Sequence, residues 1–171
     1  MTATITATNA LSDAATFRRV LGHYPTGVCI VTASDENGVP AAMVVGSFTS
    51  ASLDPPLIAF FPGCNSSSWP RIRVAGRLCV NILADDQIEL CRRFSRKDTD
   101  KFSGCDYQLS PNGSPIFAGV VAWMDCNLEE VHTAGDHYIA ICRTEAFELG
   151  TGQRPLIFHS GKYHSLQPLA E

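Results

Sequence analysis

Seven short apolar runs, each closed off by glycine, proline or charged residues, set the limits on this fold. They are VCIVTA (28–33), AAMVVGSF (41–48), LIAFF (57–61), LCVNIL (78–83), VVAWMDCNLEEVHT (120–133), HYIAICRTEAFEL (137–149) and PLIFHSGKY (155–163). Runs of this length between turn signals read as strands. Helical signals are fewer. Ser12 or Asp13 caps a short helix with Phe17, Val20 and Leu21 on one face and Gly22 at its end. SSSWP (66–70) opens a second helix, with a serine cap at Ser67 or Ser68, Pro70 in the first turn and Gly76 at the end. DDQIELCRRF (85–94) is a third, its acids at the start and arginines at the finish suiting the macrodipole. DENG (35–38) is a turn and 103–115 a loop. Strand and helix do not alternate regularly, so the expectation is a mainly β chain with short helices, an antiparallel barrel and not a doubly wound sheet.

The chain has 171 residues, 45% hydrophobic and 18% charged, which suits one domain over 1–171 with flexible tails at 1–12 and 167–171. A net charge of −4 argues against nucleic-acid binding. RRFSRK (92–97) is the main basic cluster, and the DTDK that follows balances it as a solvated helix end. MTATITATNA lacks the basic and apolar regions of a signal peptide, and no apolar run reaches the roughly 20 residues of a membrane span. Seven cysteines, an odd number with no C-x-x-C pair and mostly apolar neighbours, read as reduced and buried in a cytoplasmic protein. The histidines at 132, 137, 159 and 164 lack metal-ligand spacing, so no metal is expected.

Two segments carry more hydroxyls than packing requires. GSFTSASLDPP (46–56) follows an apolar strand with glycine and small polar residues, which bring little apolar burial. Asn65-Ser66-Ser67-Ser68 stands at a helix start, where N–H groups and hydroxyls can receive an anion. The two flank LIAFF, so a ligand can lie across that strand with a phosphate at the serines and a polar ring edge over Val45-Gly46-Ser47. GDHY (135–138) sets His137 at a strand start, with Gly135 allowing close backbone approach. Asp85-Asp86 and Glu129-Glu130 are neighbours whose side chains point apart and belong to the surface. Nucleophile-elbow, P-loop and dinucleotide-fold motifs are absent.

Taken in order, FRRVLGHYPTGVCIVTA (17–33), SFTSASLDPPLIAFF (47–61), RLCVNIL (77–83), RRF and DKF (92–94, 100–102), GSPIF (113–117), AGDHYI (134–139) and PLIFHSGKY (155–163) resemble the short-chain flavin reductase family. These are the reductase components of two-component flavin monooxygenases. The resemblance implies an FMN-binding split β-barrel that works as a homodimer. It also implies NADH- or NADPH-dependent reduction of FMN or FAD, with delivery of reduced flavin to a partner monooxygenase.

Residue by residue, the resemblance implies that Met43, Val44, Val45, Gly46 and Ser47 line the isoalloxazine edge. Phe61, Pro62, Gly63, Cys64, Ser66 and Ser67 hold the ribityl and phosphate, and Lys101 and Phe102 contact the flavin. His137 positions nicotinamide against flavin, while His159 and Tyr163 lie on the nicotinamide side. This chain departs from the family where Val44 and Gly46 replace a common threonine and an asparagine or similar polar residue, and where His159 replaces a common aromatic. The first departure either weakens flavin binding or leaves the flavin edge to backbone N–H groups. The alternative is a flavin-binding module with little NADH turnover.

Overall fold

The computed structural model describes residues 13–96 and 100–169. In chain order these form helix α1 (Ala14–Leu21), strands β1 (Thr26–Gly27), β2 (Cys29–Ser34), β3 (Pro40–Val45), β4 (Phe48–Leu53) and β5 (Pro56–Phe60), helix α2 (Trp69–Ala75) and strand β6 (Arg77–Ile82). A single 3-10 turn, Asp85–Gln87, leads into helix α3 (Ile88–Ser95). Strands β7 (Tyr107–Leu109), β8 (Pro115–Phe117), β9 (Ala122–Ala134), β10 (His137–Leu149), β11 (Leu156–His159) and β12 (Lys162–Ser165) complete the chain. The main sheet has seven strands in the order β3-β2-β6-β9-β10-β5-β4, and every pairing in it is antiparallel.

The two edge strands of that sheet, β3 and β4, are consecutive in the chain and separated only by Gly46 and Ser47. Laid flat, six interstrand steps of about 4.8 Å would put them about 29 Å apart. The link between Val45 and Phe48 spans no more than about 11 Å. The sheet must therefore roll until its edges meet. No ladder joins β3 to β4, so the roll is a barrel left open along one seam. AAMVVGSF, expected as one strand, is thus two, broken at Gly46.

Side-chain alternation gives the rolled sheet two apolar faces. One cluster gathers Val31 from β2, Val45 from β3, Phe60 from β5, Leu78 and Val80 from β6 and Cys142 from β10, with Trp69 and Ile72 of α2. It takes residues from both ends of the strand order, so it fills the inside of the roll. The other cluster collects Val28, Ile30, Cys79 and Leu83 beneath Cys91 and Phe94 of α3, Ile116 and Phe117 of β8 and Leu156 of β11. Buried Asn81 fastens that outer layer: its amide donates to the carbonyls of Ile30 and Pro115 at 3.2 Å each, and its Oδ1 accepts from Phe117 N–H at 2.9 Å.

Local expectations hold with some corrections. Asp13 caps α1 by accepting from Ala15 N–H at 3.0 Å; Ser12, the other candidate, lies outside the described residues, as do most of the proposed tails. The α1 stripe buries nothing within the chain, Phe17 being 64% and Val20 61% exposed. Ser66, and neither Ser67 nor Ser68, receives the first α2 amide, from Trp69 at 3.2 Å. The 103–115 loop holds β7, which pairs with β8 as a short arm. Gly135 meets nothing within 4 Å; its φ of +65° serves the two-residue β9–β10 turn and not a close approach. Asp54 and Pro55, joined by a cis peptide, form the β4–β5 turn that ends the serine-rich strand.

All seven cysteines are unpaired, and five of them are buried. Burial pushes the Cys29 and Cys126 thiols up to about 12, well above the usual thiol range. Each thiol is neutral in both states below about pH 9, so this contribution to stability is constant there. As pH rises toward about 12 the unfolded state gains ionised thiolates first and stability falls. Phe60 is fully buried at the centre of the inner cluster. Phe60→Ala is expected to lower unfolding free energy by about 3–5 kcal/mol in urea titrations, whereas an exposed apolar position such as Leu53→Ala costs under about 0.5 kcal/mol.

Candidate functional site

The break that closes the roll also opens its seam. Gly46 lies where β3 leaves the sheet, and a Cβ there would sit 2.9 Å from Thr26 Oγ1. Only a residue without a side chain lets β1 press against this corner. Val44, Gly46 and Tyr163 line a small cavity of about 180 Å³ together with Val28 and Phe158. Phe158 is register partner to both Thr26 and Tyr163, and the Phe158 and Tyr163 rings lie 5.3 Å apart. Met43 and Val45 face the other way, into the inner cluster, so only their backbone borders the seam. The Tyr163 hydroxyl accepts from Cys91 Sγ at 3.3 Å; that bond, then burial, pushes the phenol up to about 12.

Across the seam, Ser47 ties β4 to the end of β5: Phe61 N–H donates to Ser47 Oγ at 3.3 Å, and the hydroxyl lies 3.4 Å from the Phe61 carbonyl. The next residues dock on the start of β10. Tyr138 N–H donates to the Pro62 carbonyl and Cys64 N–H to the Asp136 carbonyl, both at 2.9 Å, bracketing a bridge between Gly63 and His137. A Cβ on Gly63 would come 3.8 Å from His137 Nε2, so the imidazole lies over this glycine. Its Nδ1 is 2.7 Å from Asp136 Oδ1. The hydrogen bond with His137 holds the Asp136 carboxyl below the usual carboxylate range, helped by the imidazole charge and by Arg18. The carboxylate thus keeps its partner at neutral pH and loses it only as pH falls through that lowered value.

The structure therefore brings together Val44, Gly46, Ser47, Phe61, Pro62, Gly63, Cys64, Ser66 and His137 along one seam. Among the described residues the backbone N–H groups of Gly46, Ser47, Asn65 and Ser67 donate to no protein acceptor. Two unpaired amides at the corner of a small apolar cavity, with two more along the 61–67 segment, are what a planar ring with a polar edge and an anionic tail requires. Flavin fits this set, with the Gly46 corner as the tightest point.

The other expected site residues have partners of their own, and Phe102 packs against the same outer cluster as Val44 and Tyr163. Lys101 donates to the Phe94 carbonyl at the end of α3 at 3.0 Å. Phe102 belongs to a ring cluster with Phe94, Phe117 and Tyr107. No hydrogen bond among the described residues joins either one to the seam. His159 sits between the rings of His23 and His164, at 6.2 and 5.8 Å, outside the cavity that Tyr163 lines. Thr26, Phe158 and Asp136 were missed as site residues. Asp136 was legible, since GDH places it beside His137; Thr26 and Phe158 arrive only through tertiary pairing.

A rolled antiparallel sheet with an amide-rimmed open seam defines a split-barrel protein of flavin type. The chain matches the flavin reductase like domain over residues 21–167. It is 56% identical over 147 residues to a flavin reductase of Pseudomonas putida, covering 86% of each chain. It is 45% identical over 156 residues to the reductase subunit of a flavin-dependent monooxygenase of Rhodococcus jostii, covering 91% of this chain and 80% of that one. Among solved structures, an NADH:FAD oxidoreductase of Streptomyces globisporus in complex with NAD and FAD fragments superposes with a TM-score of 0.87 at 30% identity, covering 94% and 96% of the two chains. The nitrilotriacetate monooxygenase component B homologue of Mycobacterium thermoresistibile gives a TM-score of 0.86 at 42% identity, covering 90% and 86%. The chain belongs to the flavin reductase family and is an oxidoreductase acting on flavins.

The Gly46–Thr26 contact yields a direct check. Gly46→Ala is expected to cost about 1–3 kcal/mol by overpacking. Combining it with Thr26→Ala, which removes the opposing hydroxyl, should return most of that loss in a double-mutant cycle read by thermal or urea unfolding.

Proposed function

We propose that this chain reduces FMN or FAD with NADH or NADPH, works as a homodimer in the cytoplasm and passes reduced flavin to a separate monooxygenase. The observation that carries the reading is the seam where Gly46 and Ser47 expose their amides opposite the Gly63–His137 bridge. Relatives named as reductase subunits of flavin-dependent monooxygenases support the partner, and one named FMN reductase (NADH) supports the reductant.

Bound flavin supplies an acceptor for the nicotinamide hydride. The chain's own groups do the rest. The Gly46 and Ser47 amides are fixed dipoles facing the polar ring edge, where negative charge gathers on reduction; fixed donors stabilise such charge without reorganising. Val44 and Tyr163 flank the ring with apolar surface, and the amides of Asn65 and Ser67 receive the phosphate with the Ser67 hydroxyl. His137, held by Asp136, positions the nicotinamide; direct hydride transfer calls for no side-chain base. Lys101 and Phe102, which close the α3 end and the aromatic arm, are further candidate contacts to the flavin.

Exposed apolar side chains favour self-association: Phe17, Val20, Leu21 and Tyr24 lie on and just after α1, each more than half exposed. Among the described residues no helix is long and apolar enough to cross a membrane.

Mixing the protein with NADH and excess FMN or FAD should produce flavin-dependent loss of nicotinamide absorbance. No loss with either flavin and either nucleotide at any pH overturns the reading, and tight yellow co-purification without turnover selects a flavin-binding module instead. His137→Gln is expected to lower kcat/KM about ten- to a hundred-fold and leave measurable activity, as suits a positioning group. Cys64, exposed within the 61–67 segment, should react with a thiol reagent in the native protein far faster than the five buried cysteines, and FMN should slow that reaction. Sedimentation at micromolar concentration should show a dimer; a monomer contradicts that part.

A further inference from the structure

A second cavity, about 530 Å³, lies between α1 and the β11–β12 turn, and the flavin seam does not use it. Arg18, Arg19, His23 and Ser160 line it. The turn is fastened to the helix end by Ser160 N–H donating to the Gly22 carbonyl at 2.8 Å. Ser160 takes a φ of +49°, the one non-glycine residue among the described ones in the left-handed region. That conformation sets its hydroxyl 3.4 Å from His23 Nδ1 and 3.3 Å from His159 Nε2. Neither Arg18 nor Arg19 forms an ion pair among the described residues. Two guanidinium groups thus stand side by side with no ion-pair partner among the described residues.

The cleft also lies close to the reacting end of the seam. Gly22, which lines it, precedes Thr26 by four residues, and Thr26 abuts Gly46; four residues span at most about 14 Å. Arg18 is near enough to Asp136, the partner of His137, to help keep that carboxyl ionised. Guanidinium forks match phosphate oxygens in pairs, and a hydroxyl beside them adds a further donor. Two neighbouring cations suit two neighbouring phosphates. FMN carries one phosphate, already placed at Asn65–Ser67 in the proposal above, whereas NADH, NADPH and FAD all carry an adenosine diphosphate extending beyond the reactive ring.

We infer that the α1 cleft receives the adenosine diphosphate portion of a dinucleotide whose reactive ring lies at Gly46 and His137, with Arg18 and Arg19 on the phosphates and Ser160 and His23 at their edge. The inference rests on the flavin reductase reading and extends it to substrate selection. Arg18→Gln/Arg19→Gln is the test, with NADH varied against both FMN and FAD, and FAD varied against NADH.

A rise of tenfold or more in KM for NADH with both acceptors supports the cleft and assigns it to the pyridine nucleotide. A comparable rise in KM for FAD, with the values for FMN and NADH unmoved, supports it and assigns it to the flavin. In either case added salt should weaken the wild type more than the variant. KM values for NADH and FAD both within twofold of wild type, in a variant with the wild-type circular dichroism spectrum and Tm, overturn the inference. Titration with ADP keeps the cleft separate from the reductase reading. If the wild type oxidises no NADH, the functional reading fails, yet ADP bound by the wild type and not by the variant still establishes the cleft, and ADP bound by neither removes it. The single Arg19→Gln variant provides the same readouts should the double variant not fold.

Discussion

A two-residue link between the opposite edges of a seven-stranded sheet governs the rest of this molecule. Gly46 and Ser47 are too short to cross a flat sheet, so the strands curl until β3 and β4 stand side by side. Curling sends one side of every strand into a common interior and leaves the other to be covered by α3, the β7–β8 arm and β11. A barrel closed by hydrogen bonds would pair the amides at this corner. An open seam leaves them available.

Function follows from where the seam falls. Where, among the described residues, the rolled sheet lacks a ladder, the chain has glycine, which lets Thr26 approach, and serine, which binds the β5 end. The opposite wall, 61–67, is pinned by the first residues of β10, and that pairing brings the His137 ring over Gly63. The polar residues of GSFTSASL thereby acquire separate reasons. Gly46 and Ser47 form the seam, while Thr49 and Ser50 lie exposed on an edge strand, where polar side chains discourage pairing with other chains.

Much of this was legible in residues alone. Short apolar runs between turn signals, glycine ends and a proline-opened helix reveal local structure directly, because chain punctuation and capping are local physics. The hydroxyl-rich segments flanking LIAFF also pointed to the seam, since small polar residues bring too little burial to be explained as core. What stayed hidden depends on pairing across the fold. The break in AAMVVGSF shows only when β3 and β4 are found at opposite edges. The DKF segment resembles a flavin contact by motif; that Lys101 also caps the Phe94 carbonyl and Phe102 packs among rings is not readable from it, because the α3 end and β8 arrive from distant parts of the chain. His159 is assigned to the nicotinamide side by resemblance alone; that the α1–β1 link and β12 bring His23 and His164 beside it depends on tertiary pairing.

Amide chemical shifts of isotope-labelled protein titrated with FMN would decide most directly whether the opening left by barrel closure is where flavin rests. The largest changes should fall on Gly46, Ser47, Asn65 and Ser67, with smaller ones at Gly63 and His137. Changes concentrated instead around Tyr107, Trp123 and Leu149, which line a separate cavity of about 500 Å³, with the Gly46 corner unmoved, would contradict it.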